Sequence, residues 1–221
     1  MEYESEIWNN LFSNGEFVWK EPHEWVIRIL PSLEKLSGNR VLDLGCGAGR
    51  HVVFLRKHAY VSHGTDHAFA GLLSARKWLL EEGFPMNLSQ SQMDRLPYAT
   101  SSFDAVVCLY VIYHGTVKKI ESVFQEIRRV LGPDGLSLVT FISDRHHRYG
   151  CGEEIEANTF ITNIGADAGI PHHFCGEEEI VRMVEEFEIV ELELLEGMNE
   201  DGLLESHWAM LLKKGVSEKV F

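Results

Sequence analysis

The alternation of apolar, strand-like runs with helical patterns predicts an α/β fold built on a doubly wound, mainly parallel sheet. Two stretches carry this reading. The apolar run Val41-Leu42-Asp43-Leu44 passes directly into Gly45-Cys46-Gly47-Ala48-Gly49, alternating glycines that open a helix. Farther on, Ile120, Val123, Phe124, Ile127 and Leu131 recur at the helical period between two more apolar runs.

The elements follow in order along the chain. Pro22 opens a helix with Trp25, Ile29, Leu33 and Leu36 on one side, and Ser37-Gly38-Asn39 ends it. Strands are expected at about Arg40 to Leu44, Tyr60 to Thr65, Met86 to Gln90, Phe103 to Tyr110 and Leu136 to Ile142. Helices between them run from Gly49 to Lys57, Ala68 to Glu82 and Lys118 to Leu131. Beyond a long segment come a helix near Glu177 to Glu186 and strands near Phe187 to Leu195 and His207 to Lys213. There is no internal repeat and no low-complexity linker, so the 221 residues are expected to form a single domain, 1–221.

The glycine loop is a nucleotide-cofactor loop. Alternating glycines allow a tight turn and bring backbone N–H groups against a ligand at the positive end of a helix. A dinucleotide fingerprint requires G-x-G-x-x-G, but Arg50 stands at its last glycine. Asp43, just before the first glycine, would repel a pyrophosphate and suits a cationic ligand group. The pattern favours S-adenosylmethionine, which carries an ammonium and a sulfonium and no phosphate. Asp66, closing the next apolar run, is placed to accept the ribose hydroxyls, although dehydrogenases place an acid there too.

Further motifs carry a family resemblance. Asp94-Arg95-Leu96-Pro97-Tyr98 follows the third strand, and Ser102-Phe103-Asp104-Ala105-Val106-Val107 leads into the fourth. Tyr113-His114 comes next, and Arg128-Arg129-Val130-Leu131-Gly132-Pro133-Asp134-Gly135 precedes the fifth. In this order the motifs resemble the class I S-adenosylmethionine-dependent methyltransferases, of the small-molecule, type 11-like kind, firmly over Val41 to Ile142. The resemblance implies a Rossmann-like seven-stranded mixed sheet whose last strand is antiparallel, and S-adenosyl-L-methionine as methyl donor.

It also implies the cofactor residues. Gly45, Cys46 and Gly47 would contact the methionine portion, with Asp43 near its ammonium. Asp66 would take the ribose, with His67 beside the adenine, and Met93 and Asp94 would flank that ring. Cys108 and Leu109, at the end of the fourth strand, would face the methyl-donor region. Each has a plainer alternative: turn glycines, a helix cap for Asp94, core for Cys108. The expected reaction is direct in-line transfer to a small molecule, governed by position and water exclusion. It needs no particular base; His114 is the weak catalytic candidate, with a structural role as its alternative.

The acceptor side is expected from two segments. Residues 143–175 hold His146, His147, His172 and His173 with no clean period, and loops this long are commonly functional. Residues 1–38, rich in Tyr3, Trp8, Phe12, Phe17 and Trp19, form a helical cap that lines a pocket or packs on the sheet. Trp19, Tyr113, His146 and His173 are the substrate candidates. His146, His147, Cys151, His172, His173 and Cys175 have metal-ligand chemistry without C-x₂-C or H-x₃₋₅-H spacing, so no metal is expected.

Composition narrows the partners. Net charge is −14, and between Glu177 and Glu205 the only Lys or Arg is Arg182, which argues against a polyanionic substrate. The Asn/Asp-Pro-Pro-aromatic signature of amino-methylating nucleic-acid enzymes is replaced by Cys108-Leu109-Tyr110-Val111. No apolar run approaches the roughly 20 residues of a membrane span. The acidic start lacks a secretory pattern and the four cysteines form no framework. A cytoplasmic monomer or homodimer without nucleic-acid or membrane partners is expected. A non-catalytic cofactor-binding protein and an NAD-dependent oxidoreductase are the alternatives, the latter weakened by Asp43 and Arg50.

Overall fold

The computed structural model describes residues 2–215; Met1, residues 216–221 and the side chains of Glu2 and Tyr3 lie outside what is described. Helix α1 (Glu2–Ser13) and the short α2 (Glu24–Arg28) and α3 (Leu30–Leu33) precede β1 (Arg40–Leu44), α4 (Arg50–Lys57), β2 (Val61–Asp66), α5 (Phe69–Glu81) and β3 (Leu88–Gln90). Next come β4 (Phe103–Cys108), α6 (Val117–Val130), β5 (Leu131–Ile142), and the short β6 (Glu153–Glu156), β7 (Thr159–Ile161) and β8 (Pro171–His173). The last described elements are α7 (Glu177–Met183), β9 (Phe187–Met198) and β10 (Leu204–Lys214).

Seven strands form one sheet in the order β3-β2-β1-β4-β5-β10-β9. Pairings among β1 to β5 are parallel, and β10 runs antiparallel to both β5 and β9. This is the expected Rossmann-like mixed sheet with its last strand reversed. The order reverses beside β1, so the loops after β1 and β4 part there and leave a crevice at the carboxyl ends of the strands.

Alternating side chains divide the core. Leu42, Leu44, Val106, Val139, Phe141 and Met210 pack with Ile120, Val123 and Ile127 of α6 and Ile180 of α7. Their neighbours Val41, Val107, Leu138, Ala209 and Leu211 belong to the opposite layer, with Trp25, Val26, Ile29, Leu33 and Leu55. Period-two alternation in the strands thus buries both faces.

Two expectations needed correction. The single helix from Pro22 to Leu36 is two helices meeting at Ile29, because Pro31 offers no N–H and its ring crowds the preceding turn. The long segment after β5 contains a second, antiparallel sheet in the order β6-β7-β8. Strands of three or four residues are too short to display a period. This sheet is tied to the main one where His173 N–H donates to Tyr113 O (2.9 Å) and Cys175 N–H to Ile142 O (3.0 Å).

Helix α1 docks through polar side chains. Asn9 Oδ1 accepts from Ala70 N–H (2.9 Å) at the start of α5, whose own N-cap residue Ala68 has no capping side chain. Glu4 pairs with Lys119 of α6 at 3.1 Å. The cap for α5 is therefore supplied from another helix. Asn9→Ala is expected to cost about 1 kcal/mol, as lost caps do, lowering the thermal midpoint by about 2–4 °C in a domain of this size; an unchanged midpoint would show that α1 does not cap α5 in solution.

Candidate functional site

The loop after β1 is built from left-handed glycines: φ is +75° at Gly45, +49° at Gly47 and +88° at Gly49. A Cβ on Gly45 would fall 2.6 Å from Val111 Cγ1, and one on Gly47 would lie 2.9 Å from the Phe12 ring. The loop is hung from the end of β2. Gly45 N–H and Cys46 N–H both donate to Thr65 O, at 2.8 and 3.0 Å. Asp66 accepts from Gly47 N–H through Oδ2 and from Ala68 N–H through Oδ1, both at 2.8 Å. Burial pushes the Asp66 carboxyl upward against these two donors and the neighbouring His67.

Behind the loop lies a second carboxylate. Asp43 is 2 % exposed, its Oδ1 stands 3.7 Å from His51 Nδ1, and its Oδ2 has no protein partner. His51 Nε2 accepts from the His23 backbone N–H (3.2 Å), so the neutral ring carries its proton on Nδ1, toward Asp43. The buried His67 Nε2 is also without a partner. A buried acceptor and a buried ring nitrogen left open beside a Cβ-free loop fit a ligand with an ammonium, a ribose and an adenine, the features of S-adenosylmethionine.

Loop, β2 end and β4 end open into one cavity of about 780 Å³. Its cofactor-loop side is lined by Gly45, Cys46, Gly47, Asp66, His67, Ser91 and Met93. Trp8, Phe12, Phe17 and Trp19 come from the N-terminal segment, and Tyr110, Tyr113, His114, His146 and His207 from the far wall. Tyr110 has φ +60°, a conformation a bulky residue seldom adopts. It is held by its N–H donating to Thr140 Oγ1 (2.6 Å) and by its hydroxyl 2.9 Å from His23 Nε2. Since His23 Nδ1 accepts from Trp25 N–H, the neutral ring donates from Nε2 to Tyr110, whose own proton is free to point into the cavity.

The candidate residues divide on placement. Gly45, Cys46, Gly47, Asp66, His67, Met93, Leu109, Tyr113, His114, His146 and Trp19 line the cavity. Trp19 stands at its rim, half-exposed, with the Arg50 guanidinium 5.0 Å over its ring. Asp43 lies one layer behind the lining. Asp94 is exposed and outside it, and Cys108 is fully buried in the core, one strand position too early. His173 faces the small sheet instead, between Thr159 Oγ1 (2.7 Å) and Glu179 Oε1 (3.2 Å). Adjacent His172 and His173 point apart because successive residues of β8 face opposite ways.

Sequence reading passed over His23, His51, Tyr110, Arg148, Asp167 and His207. Only Tyr110 had a signal, its place at the carboxyl end of β4. The others reach the cavity from four separate segments: the N-terminal stretch, α4, the segment after β5 and β10. Four histidines of the wall are held below their ordinary range, burial being the first cause at His23, His114, His146 and His207. His23 falls to about 4, with Arg50 and His51 adding to the effect, and His207 to about 3, beside His146, His23, Arg148 and His172.

These two groups set a pH dependence of stability. The unfolded chain protonates them near 6.5, the folded protein only near 4 and 3, so stability is complete above 6.5 and is lost as pH falls toward 4. The unfolding midpoint should drop between pH 7 and 4.5, with a shallower slope in a His23→Gln/His207→Gln variant. An unaltered slope would place the proton uptake elsewhere.

Comparison with known proteins agrees with this geometry. Residues 41–135 match a family model described as a methyltransferase domain. A malonyl-[acyl-carrier protein] O-methyltransferase of Legionella pneumophila is 33% identical over 111 residues, 48% of this chain and 37% of that protein. A tRNA U34 carboxymethyltransferase of Marinobacter nauticus is 30% identical over 138 residues, 55% of this chain and 41% of that one. The chain thus spans less than half the length of these relatives. A solved S-adenosylmethionine-dependent methyltransferase from Methanosarcina mazei superposes with a TM-score of 0.74 at 19% identity, covering 89% of this chain and 100% of that one. With its glycine loop, β2 acid and reversed last strand, the chain has the class I methyltransferase fold, and its residues 41–135 match the methyltransferase-domain family.

Proposed function

We propose that the protein transfers a methyl group from S-adenosylmethionine to a small-molecule acceptor held wholly inside the cavity. The observation that carries this is the cavity itself. One space of about 780 Å³ contains both the cofactor-loop residues and an aromatic, histidine-rich wall, in the size range of small-molecule pockets. Helix α1 and the segment 143–175 cover it, the first through Phe12 over Gly47 and the second through Asp167 and Ile170. The net charge of −14 disfavours a polynucleotide in that space. A cytoplasmic monomer or homodimer accords with this reading, and no helix among the described residues is long and apolar enough to cross a membrane.

When bound, the donor supplies an electrophilic methyl group on a sulfonium. The chain's residues then orient and exclude. Asp66, with lone pairs left beyond its two backbone donors, accepts the ribose hydroxyls, while Met93 and His67 flank the base. Asp43 provides negative charge behind the loop, on the side of the ligand's ammonium. Leu109 and Tyr110 directly follow β4, where donor and acceptor would meet, and the Tyr110 hydroxyl orients an acceptor lone pair. Neutral histidines held well below 7 are weak bases, so they serve as hydrogen-bonding walls. Rate comes chiefly from alignment in a dry site. On this reading His114 is wall too, and not the base.

Titration calorimetry should show S-adenosylhomocysteine binding with no NAD binding. Gly45→Ala should abolish binding, through its φ of +75° and the contact with Val111, and Asp66→Ala should weaken it at least about tenfold. Binding of NAD alone would overturn the proposal. With methyl-labelled donor and a cell extract, label should appear in the low-molecular-weight fraction; label confined to RNA or protein would reject a small-molecule acceptor.

A further inference from the structure

His114 from the loop after β4 and Asp167 from the segment after β7 line the cavity, and His172 from β8 meets them from behind the lining. Their ligand atoms all lie within 4.8 Å of one another. The three residues are 8 %, 7 % and 1 % exposed. His172 settles the electrostatics of the cluster. Its Nδ1 is 2.8 Å from Ile170 O, a carbonyl that only accepts, so Nδ1 carries a proton. Its Nε2 is then aimed at Asp167 Oδ2, 2.9 Å away. In a neutral ring two lone pairs would face each other there. A cation must sit between or beside them, either a second proton or a metal ion.

We propose that His114 Nε2, His172 Nε2 and Asp167 Oδ2 hold a divalent transition-metal ion whose open positions face the acceptor half of the cavity. His114 Nε2 stands 3.9 Å from Asp167 Oδ2. Ligands about 2.0–2.2 Å from a shared ion lie roughly 3–4 Å apart, so the triad closes on one with small side-chain movements. Two imidazoles and one carboxylate suit zinc, iron(II), manganese or cobalt, and three protein ligands leave positions for substrate. The surrounding contacts are those of a supported metal site. Ile170 O fixes the His172 tautomer, and Arg148 Nη2 holds Asp167 Oδ1 at 2.8 Å while bonding Thr162 Oγ1 at 2.6 Å. That leaves Oδ2 as the ligand oxygen, although Arg148 Nη1 also reaches it at 3.4 Å.

Charge names the acceptor class. A dication beside Arg148 and one carboxylate leaves the site positive, so an acceptor with an ionisable oxygen, such as a phenol or carboxylate, would complete its shell. This use rests on the methyltransferase reading, whereas metal binding does not. Asp167 and His172 share the segment 143–175 while His114 comes from the loop after β4, which is why local spacing did not disclose the set.

Tag-free full-length protein, stripped with a chelator and titrated with Co(II), is expected to bind about one equivalent with visible absorption bands. His114→Gln and His172→Gln should each weaken Co(II) at least tenfold, and His147→Gln, in a neighbouring cluster, should not. Thermal midpoints identify any variant that fails to fold, and the other ligand variant then decides. Retention below about a tenth of an equivalent, or Co(II) binding indifferent to both ligand variants, would overturn the proposal. S-adenosylhomocysteine binding to the stripped protein separates the two readings: it fails only if the cofactor assignment is wrong.

Discussion

Four backbone donors at the ends of β1 and β2 hold the site together. Gly45 and Cys46 donate to Thr65 O, and Gly47 and Ala68 donate to the two oxygens of Asp66. These bonds hold a turn of left-handed residues against the neighbouring strand, which only glycine accepts without strain. The consequence reaches the rest of the cavity. With no Cβ on Gly45 or Gly47, Val111 after β4 and Phe12 of α1 approach the loop directly. The β4 loop and the N-terminal helix are thus both located by the turn after β1.

The cavity is electrostatically divided. On its cofactor side, acids are kept in apolar surroundings by backbone N–H groups and by the His51 ring. On its far side, histidines are kept neutral by burial and by neighbouring cations. Proton transfer is poorly served by such histidines, while hydrogen bonding and metal ligation, which use neutral imidazole, are well served. Asp167 is the exception among the polar groups of this wall. The hydrogen bond to His172 and the Arg148 guanidinium hold its carboxyl well below the usual range despite burial, so it stays anionic.

Much of the fold was legible. β1 matched the expected residues, and α4, α5 and α6 lie within a residue or so of expectation, because long periodic segments bury a continuous face. The α2–α3 break was signalled by Pro31 but overridden by the apolar spacing across it. The small sheet β6-β7-β8 was not legible, since its strands rely on one another for pairing and not on an apolar stripe. Among the candidate residues, those next to the glycine loop line the cavity together because the loop is local. Cys108 stands in the core and Asp94 is exposed outside the cavity, and strand alternation turns His173 away from His172.

The chain alone specifies the glycine turn, the acid that closes β2 and the alternation of strands and helices, since each depends on residues within a few positions of one another. Which side chains share the cavity is a different matter. His23, Tyr110 and His207, or His114, Asp167 and His172, are brought together from distant segments by strand order and by the docking of α1 and the small sheet. Such meetings follow from packing across the fold, and no local pattern records them.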